Sequence, residues 1–310
     1  MPIAACVLLA LILVFALSVF AFVAFSWAPD RPVDALRARW ASGASRFVAL
    51  DGMQIHVRDE GPRDDPVPIV LLHGTGSSLH TWDGWAQRLQ GARRVIRIDR
   101  PGFGLTGPDP AGDYSMLTSA RRVLRLLDGM KVGRFAVAGN SSGGRLAWQL
   151  ALEAPARVER LVLVAAGGYP RRTPLPMGLR MAQSPWLGAL MSRVLPRSMV
   201  EKGVKATYGD PSLVTPAVVE RSYELTLRAG NRLALGETLR QDRLLDNSSR
   251  IREIVAPTVI LWGDRDTVIP PADAQVFKND IGGSQLVMFP ELGHLPQEED
   301  PAATLAAAFP

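Results

Sequence analysis

The sequence predicts an α/β fold in which a mostly parallel sheet is covered by helices on both faces. Three observations point to it. Short, wholly apolar runs alternate with amphipathic helical patterns from about Phe47 onward. A Gly-rich turn, Gly139-Asn-Ser-Ser-Gly-Gly144, joins one such run to the helical pattern after it. The alternation breaks once, between Tyr169 and Asn247, and then resumes. Continuous apolar strands are the mark of a sheet buried on both faces, because such strands have no solvent side to leave polar.

The first element is different in kind. Ile3 to Trp27 contains no charged residue and is rich in Leu, Val, Ala and Phe. Roughly 20 apolar residues suffice to cross a bilayer core. Trp27 suits the interface, while Pro29 and Pro32 end the helix. Residues 1–28 are therefore expected to form a single-pass membrane anchor. The rival is a cleaved signal peptide, for which Ala24-Phe25-Ser26 offers a small-x-small site but no basic segment precedes the apolar run. Arg31, Arg37, Arg39 and Arg46 follow the span, which favours a cytoplasmic domain by the positive-inside rule. An uncleaved signal-anchor favours the opposite side, so the sequence leaves the side open.

A polar connector is expected from about Asp30 to Ser45. Phe47 to Leu50 and Met53 to Val57 then read as a hairpin about an Asp51-Gly52 turn. Strands are expected at Pro68 to Leu72, Arg94 to Ile98, Phe135 to Ala138 and Leu161 to Ala165. Helices are expected at Thr81 to Leu89, Leu117 to Leu127 and Gly144 to Leu152. Residues 169–247 carry Leu, Met and Ala at helical spacing, broken by Pro174, Pro176, Pro185, Pro196, Pro211 and Pro216, and read as a helical insertion. Thr258 to Trp262 and Gln285 to Phe289 resume the strands, with helices at Ala272 to Lys278 and from Pro301. The core domain thus comprises residues 46–168 and 248–310.

Composition excludes several function classes. The chain has 310 residues, of which 47% are hydrophobic and 21% charged, so it can bury a sizeable core. The formal net charge of +5 comes mostly from dispersed arginines, without the basic block expected of a nucleic-acid binder. The single cysteine, Cys6, lies in the apolar run, which rules out an intramolecular disulfide and a Cys nucleophile in the globular part. No metal-ligand spacing is visible.

The Gly139–Gly144 turn carries the chemistry. A strand that turns sharply into a helix needs small residues on either side of a strained Ser, whose oxygen is thereby exposed. Gly139 and Gly143 flank Ser141 in that register, while Ser142 would need a Gly at Asn140. Glycine–serine turns in this setting also bind phosphate, which is the competing reading of the motif alone. A serine hydroxyl needs a base, and the base an orienting acid. Among His56, His73, His80 and His294, only His294 follows Ser141, as the order Ser, acid, His requires. Asp264 and Asp266 both follow the Thr258–Trp262 strand. Asp264 reads as a turn residue or a partner of Arg265, whereas Asp266 stands further into the loop, within reach of a histidine on the next one. The position after Ala165 offers no carboxylate. The backbone N–H groups of Thr75, in His73-Gly-Thr-Gly76, and of Ser142 are the expected oxyanion donors, with His73 shaping its loop.

Five ordered motifs together resemble the α/β-hydrolase superfamily: His73-Gly-Thr-Gly, Asp99-Arg-Pro-Gly-Phe-Gly, Gly139-Asn-Ser-Ser-Gly-Gly, Trp262-Gly-Asp-Arg-Asp-Thr-Val-Ile-Pro and Gly293-His-Leu-Pro. The similar branch contains esterases, meta-cleavage-product hydrolases, epoxide hydrolases and haloalkane dehalogenases. The resemblance runs from about Phe47 to the C-terminus. It implies the α/β-hydrolase fold, a helical lid in the insertion, no metal or organic cofactor, and the triad Ser141, Asp266 and His294. Dehalogenases and epoxide hydrolases carry Asp where this chain has Ser141, which turns the expectation away from both. Ester hydrolysis of a partly apolar small molecule is the leading expectation. Carbon–carbon bond hydrolysis of meta-cleavage-product type is the second, weakened because those enzymes usually follow the histidine with an aromatic residue and this chain has Leu295. A non-catalytic, membrane-anchored binding protein is the third.

Overall fold

A computed structural model of the chain describes residues 3–171, 177–184, 188, 192–241 and 247–309. It contains one eight-stranded sheet: β1 (Ser45–Leu50), β2 (Met53–Glu60), β3 (Ile69–Leu72), β4 (Val95–Ile98), β5 (Phe135–Asn140), β6 (Val158–Val164), β7 (Thr258–Gly263) and β8 (Gln285–Phe289). The order across the sheet is β1-β2-β4-β3-β5-β6-β7-β8. The pairs β1–β2 and β2–β4 are antiparallel and every other pair is parallel. Asp51 and Gly52 both have positive φ, 50° and 75°, as a two-residue hairpin turn between Leu50 and Met53 demands.

The parallel strands are buried on both faces, and their side chains alternate between two cores. Val70 and Leu72 face one core with Trp148, Leu146 and Phe277, while Ile69 and Leu71 face the other with Trp82 and Trp85. Period-2 alternation assigns them without a polar residue to mark the faces. The first core is closed by α4 (Met116–Gly129), α5 (Ser142–Glu153) and α10 (Ala272–Asp280). The second is closed by α3 (Asp83–Leu89) and α12 (Pro301–Ala308), joined by a hydrogen bond from Trp85 Nε1 to Thr304 Oγ1 of 3.0 Å. A further short helix, α11 (Pro296–Glu299), precedes α12.

Among the described residues between β6 and β7 there is no strand. The helices there are α6 (Met177–Gln183), α7 (Arg197–Lys205), α8 (Pro216–Thr226) and α9 (Asn231–Gln241). Thr215 caps α8, accepting from Val218 N, with Pro216 at the first helical position, where its missing N–H costs nothing. Pro174, Pro176, Pro185 and most of the Pro185–Leu195 stretch lie outside the described residues.

The N-terminal helix α1 (Ile3–Phe25) spans 23 residues, about 35 Å at 1.5 Å per residue, and none of it is buried against protein. It is long and apolar enough to cross a bilayer. The segment after it departs from expectation. Residues 33–40 form a helix, α2 (Val33–Trp40), where a connector was expected. Only Leu36 of α2 is buried, against Leu105 and Leu225. So short a helix carries too few apolar residues for its periodicity to stand out, and tertiary packing stabilises it.

The sheet order has one functional consequence. From β3 the chain moves to β4 on one side and later to β5 on the other, so the carboxyl ends of β3 and β5 flank a switch point where loops diverge and leave a crevice. The loops after β3 and β5 hold His73–Gly76 and Ser141. Behind them lies a buried hub at Asp99. Its Oδ2 meets His56 Nδ1 at 2.6 Å and accepts from Leu105 N at 2.8 Å, and its Oδ1 accepts from Leu79 N at 2.8 Å. Burial pushes the Asp99 carboxyl up, but His56, His73 and His80 outweigh it and hold the group well below the usual carboxylate range. His73 Nδ1 donates to Gly74 O at 2.8 Å and its Nε2 accepts from Arg100 N at 3.0 Å, which fixes one neutral tautomer. Burial lowers both His73 and His80 to about 4, against a smaller upward pull from Asp99.

Two predictions follow from this packing. His73 and His80 are neutral in the folded state and accept protons on unfolding once the pH is below about 6.5. Between there and about 4 the unfolded chain binds more protons, so stability falls as pH falls. A series of melting curves across that window will show a declining midpoint, and His80→Gln will flatten the decline. The second concerns Gly139, where a Cβ would run into the Gly143 carbonyl. Gly139→Ala will lose at least about 2 kcal/mol in chemical denaturation, whereas Gly91→Ala, in open space, will stay within about 0.5 kcal/mol.

Candidate active site

Ser141 sits at the junction of β5 and α5 with φ 56° and ψ −122°, a conformation that costs a non-glycine residue roughly 1–3 kcal/mol. The surroundings over-determine it. Ser141 N donates to Val164 O at 3.0 Å, while Ser141 O accepts from Arg145 N at 3.1 Å and Gly167 N at 2.9 Å. Three glycines allow the chain to close around the turn. A Cβ at Gly143 would strike the carbonyls of Leu72 and His73, one at Gly144 would press on Ala166, and one at Gly139 would meet Gly143. The motif spacing thus reflects backbone-to-backbone approach.

The loop after β3 abuts this turn. A Cβ at Gly74 would lie 3.0 Å from Ser141 Cβ and 3.2 Å from Asn140 Oδ1. Thr75 Oγ1 donates to Ser142 Oγ at 2.8 Å, so the two expected oxyanion residues are side by side. Arg100, absent from the sequence-level expectations, joins them. Its Nη1 donates to Ser142 Oγ at 2.7 Å and to His73 O at 3.0 Å, clasping both loops from beneath. Arg100 is only 4% exposed, and its place after Asp99 in the Asp-Arg-Pro-Gly motif gave no hint of this contact.

Asp266 and His294 come together. His294 Nδ1 is 2.8 Å from Asp266 Oδ2, and both residues are buried. The other Asp266 oxygen accepts from Val268 N at 2.8 Å and Ile269 N at 3.0 Å, which locks the carboxylate. Asp264 is exposed in a turn, one of its two expected roles, and takes no part; Arg265, its partner in the other, pairs with Glu291. The link from this pair to the turn is Asn140, whose Nδ2 donates to His294 O at 2.9 Å and to Val164 O at 3.2 Å. The residue before Ser141 therefore ties the histidine loop to β5.

The histidine loop is held from the other side by the segment between α7 and α8. His294 N donates to Thr207 O at 2.7 Å, and Thr267 Oγ1 to Ala206 O at 2.9 Å. Glu299 accepts from Gly293 N at 2.8 Å and Gly209 N at 2.7 Å, bridging the two. Gly209 and Gly293 lie so close that a Cβ on either would enter the other segment's backbone. A small cavity of about 30 Å³ opens beside the oxyanion loop. It is lined by Ser77, Ser78 and Phe103 of the core and by Arg221, Leu225 and Asn231 of α8 and α9. Among the described residues, no three His, Cys, Asp or Glu side chains gather as metal ligands would.

Comparison with known proteins accords with this architecture. Residues 67–301 match the family described as the alpha/beta hydrolase fold. The 2-hydroxy-6-oxo-2,4-heptadienoate hydrolase of Pseudomonas putida F1 is 30% identical over 263 residues, covering 82% of this chain and 91% of that protein. A solved hydrolase from Pseudomonas aeruginosa superposes with a TM-score of 0.72 at 30% identity, over 86% of this chain and 97% of that one. A membrane phospholipase A described as a bacterial virulence factor superposes with a TM-score of 0.74 at 24% identity, covering 97% of this chain and 96% of that one, a likeness of fold. A buried switch-point site on an eight-stranded sheet, with matches to family and relatives over most of the length, makes this chain a member of the α/β-hydrolase family.

Proposed function

We propose that the chain hydrolyses carboxylic esters through an acyl-enzyme on Ser141. Ser141 Oγ attacks the ester carbonyl as His294 takes its proton, and the backbone N–H groups of Thr75 and Ser142 receive the charge that develops on the carbonyl oxygen. His294 passes the proton to the leaving alkoxide. Water, deprotonated in turn by His294, then attacks the acyl group and releases the acid with Ser141 restored. Asp266 holds the imidazole in the tautomer that leaves Nε2 free to accept. The observation that carries this reading is the buried 2.8 Å contact between Asp266 and His294, tethered through Asn140 to the residue next to Ser141. In the same reading α1 is a retained anchor, residues 46–168 and 248–310 are the catalytic core, and 169–247 is a lid over the cavity.

Carbon–carbon bond hydrolysis is the second reading, favoured by the name of the Pseudomonas putida relative. A dienoate substrate carries a carboxylate and calls for a cation in the pocket. Arg221 is the only cation among the described lining residues, and Glu298 already neutralises it at 2.5 Å. The remaining lining, of small hydroxyls, Phe103 and Leu225, suits a neutral ester better.

A fluorophosphonate will label the purified full chain, and Ser141→Ala will abolish the labelling. Aryl esters of increasing acyl length will be turned over, and a dienoate ring-fission product slowly or not at all; the reverse preference would establish the second reading. Asp266→Asn and His294→Gln will each lower kcat by roughly 10³- to 10⁴-fold. Arg100→Met will lower kcat about tenfold with little change in KM, because it loosens the donors that act on the transition state.

A further inference from the structure

The chain that leaves α1 does not hang free. Residues 26–28 run antiparallel to 193–195: Ala28 N donates to Arg193 O at 2.9 Å, and Leu195 N donates to Ser26 O at 2.9 Å. A few residues on, Arg31 N donates to Leu227 O at 2.7 Å, and Ala229 N donates to Arg31 O at 2.8 Å. Between them Asp30 accepts from Arg232 at 2.6 Å and from Gly230 N at 3.0 Å. Helix α2 then packs on α8, where buried Glu224 accepts from Arg31 at 2.7 Å, Arg39 at 3.1 Å and Trp40 Nε1 at 2.7 Å. The strap is thus stitched to the insertion just before α7 and around the C-terminal end of α8.

This geometry fixes where the insertion sits. Six residues of chain reach at most about 20 Å, so the α8–α9 corner lies within that distance of the end of the apolar span. Residues 169–247 carry 12 Lys and Arg against 7 Asp and Glu, a surplus equal to the net +5 of the whole chain. Outside α1 and Trp27, the exposed large apolar side chains among the described residues are Met177, Met199, Leu213 and Leu233 of the insertion, with Leu117 and Val255 of the core. Surplus cations with scattered exposed apolar residues suit contact with anionic lipid headgroups. The cavity is bounded by the same two helices: Arg221, Ser222 and Asn231 line it, while Glu224 and Arg232 of α8 and α9 hold the strap.

We infer that the insertion rests on the anionic headgroup layer of the bilayer that holds α1, and that the substrate is an amphiphilic ester drawn from that layer. The inference rests on the ester-hydrolase reading for its chemistry and on the retained anchor for its geometry. The strap sets the height and tilt of the insertion over the lipid. Exposed Arg193, beside the strap, and exposed Lys202, on α7, supply attraction to the surface.

The test uses the full chain reconstituted in vesicles of phosphatidylcholine, with or without about 30% phosphatidylglycerol. With Cys6→Ser in the background, a fluorophore is placed at Met199→Cys or, just before the amino end of β7, at Val255→Cys. Quenching by headgroup-borne spin labels is expected at 199 and not at 255, increasing with phosphatidylglycerol. A fluorogenic long-chain ester dissolved in the anionic vesicles is expected to turn over about tenfold more slowly in Arg193→Glu/Lys202→Glu and in Asp30→Ala. A water-soluble butyrate ester is expected to be hydrolysed at the same rate by all three proteins. Equal quenching at 199 and 255, or parallel loss on both substrates, overturns the inference. Quenching confined to 199 with no hydrolysis of either ester leaves the surface in place and defeats the ester reading instead.

Discussion

Everything at the candidate site depends on how closely three stretches of backbone can approach around Ser141. The turn from β5 into α5 places a non-glycine residue at φ 56°, and such strain persists only where neighbours forbid relaxation. Here they do so through bare backbone. Gly143 lies against the end of β3, Gly144 against the end of β6, and Gly139 against Gly143 itself. Because β3, β5 and β6 are adjacent parallel strands, their carboxyl ends meet at one place, and only residues without side chains let α5 begin there. The oxyanion loop then falls into position as the continuation of β3.

Charge is arranged around that backbone core in two layers. The inner one is the Asp99 hub, which accepts from two backbone N–H groups and a histidine and so binds the loops after β3 and β4 together. Arg100 extends it to Ser142, making the loop after β4 a brace for the proposed oxyanion donors. The outer layer is the Asp266–His294 pair, whose carboxylate is saturated by Val268 and Ile269 N–H groups. Neither layer relies on exposed ion pairs, which salt and solvent would weaken.

Much of this is legible in the sequence because the physics is local or ordered along the chain. The strand runs from β3 to β8, the Asp51-Gly52 hairpin and the Gly139–Gly144 turn each carry their own periodicity or steric signature. The position of His294 after Ser141 singles it out among four histidines. What was not legible is long-range. Helix α2 is held by Leu36 and by Glu224, which accepts from Arg39 and Trp40 about 185 residues earlier, and its eight residues look like a connector in isolation. Arg100 reads as part of a loop motif until folding brings Ser142 to it. Asp264 sits in a turn, one of its two expected roles, while Arg265, its partner in the other, is aimed by that turn at Glu291 across the next loop. In each case the deciding partner lies in another element, beyond the reach of any window on the chain.

The contact between the α7–α8 segment and the histidine loop bears on how such a site could admit a substrate. Thr207 O accepts from His294 N, the Glu299 carboxylate joins Gly209 N to Gly293 N, and the Gly209 and Gly293 backbones approach each other directly. Swinging the whole insertion outward as one body would tear the histidine from its seat. This portion belongs to the seat of His294. Residues 206–209 thus stand as a fixed post beside the histidine, and any opening of the site must work around them.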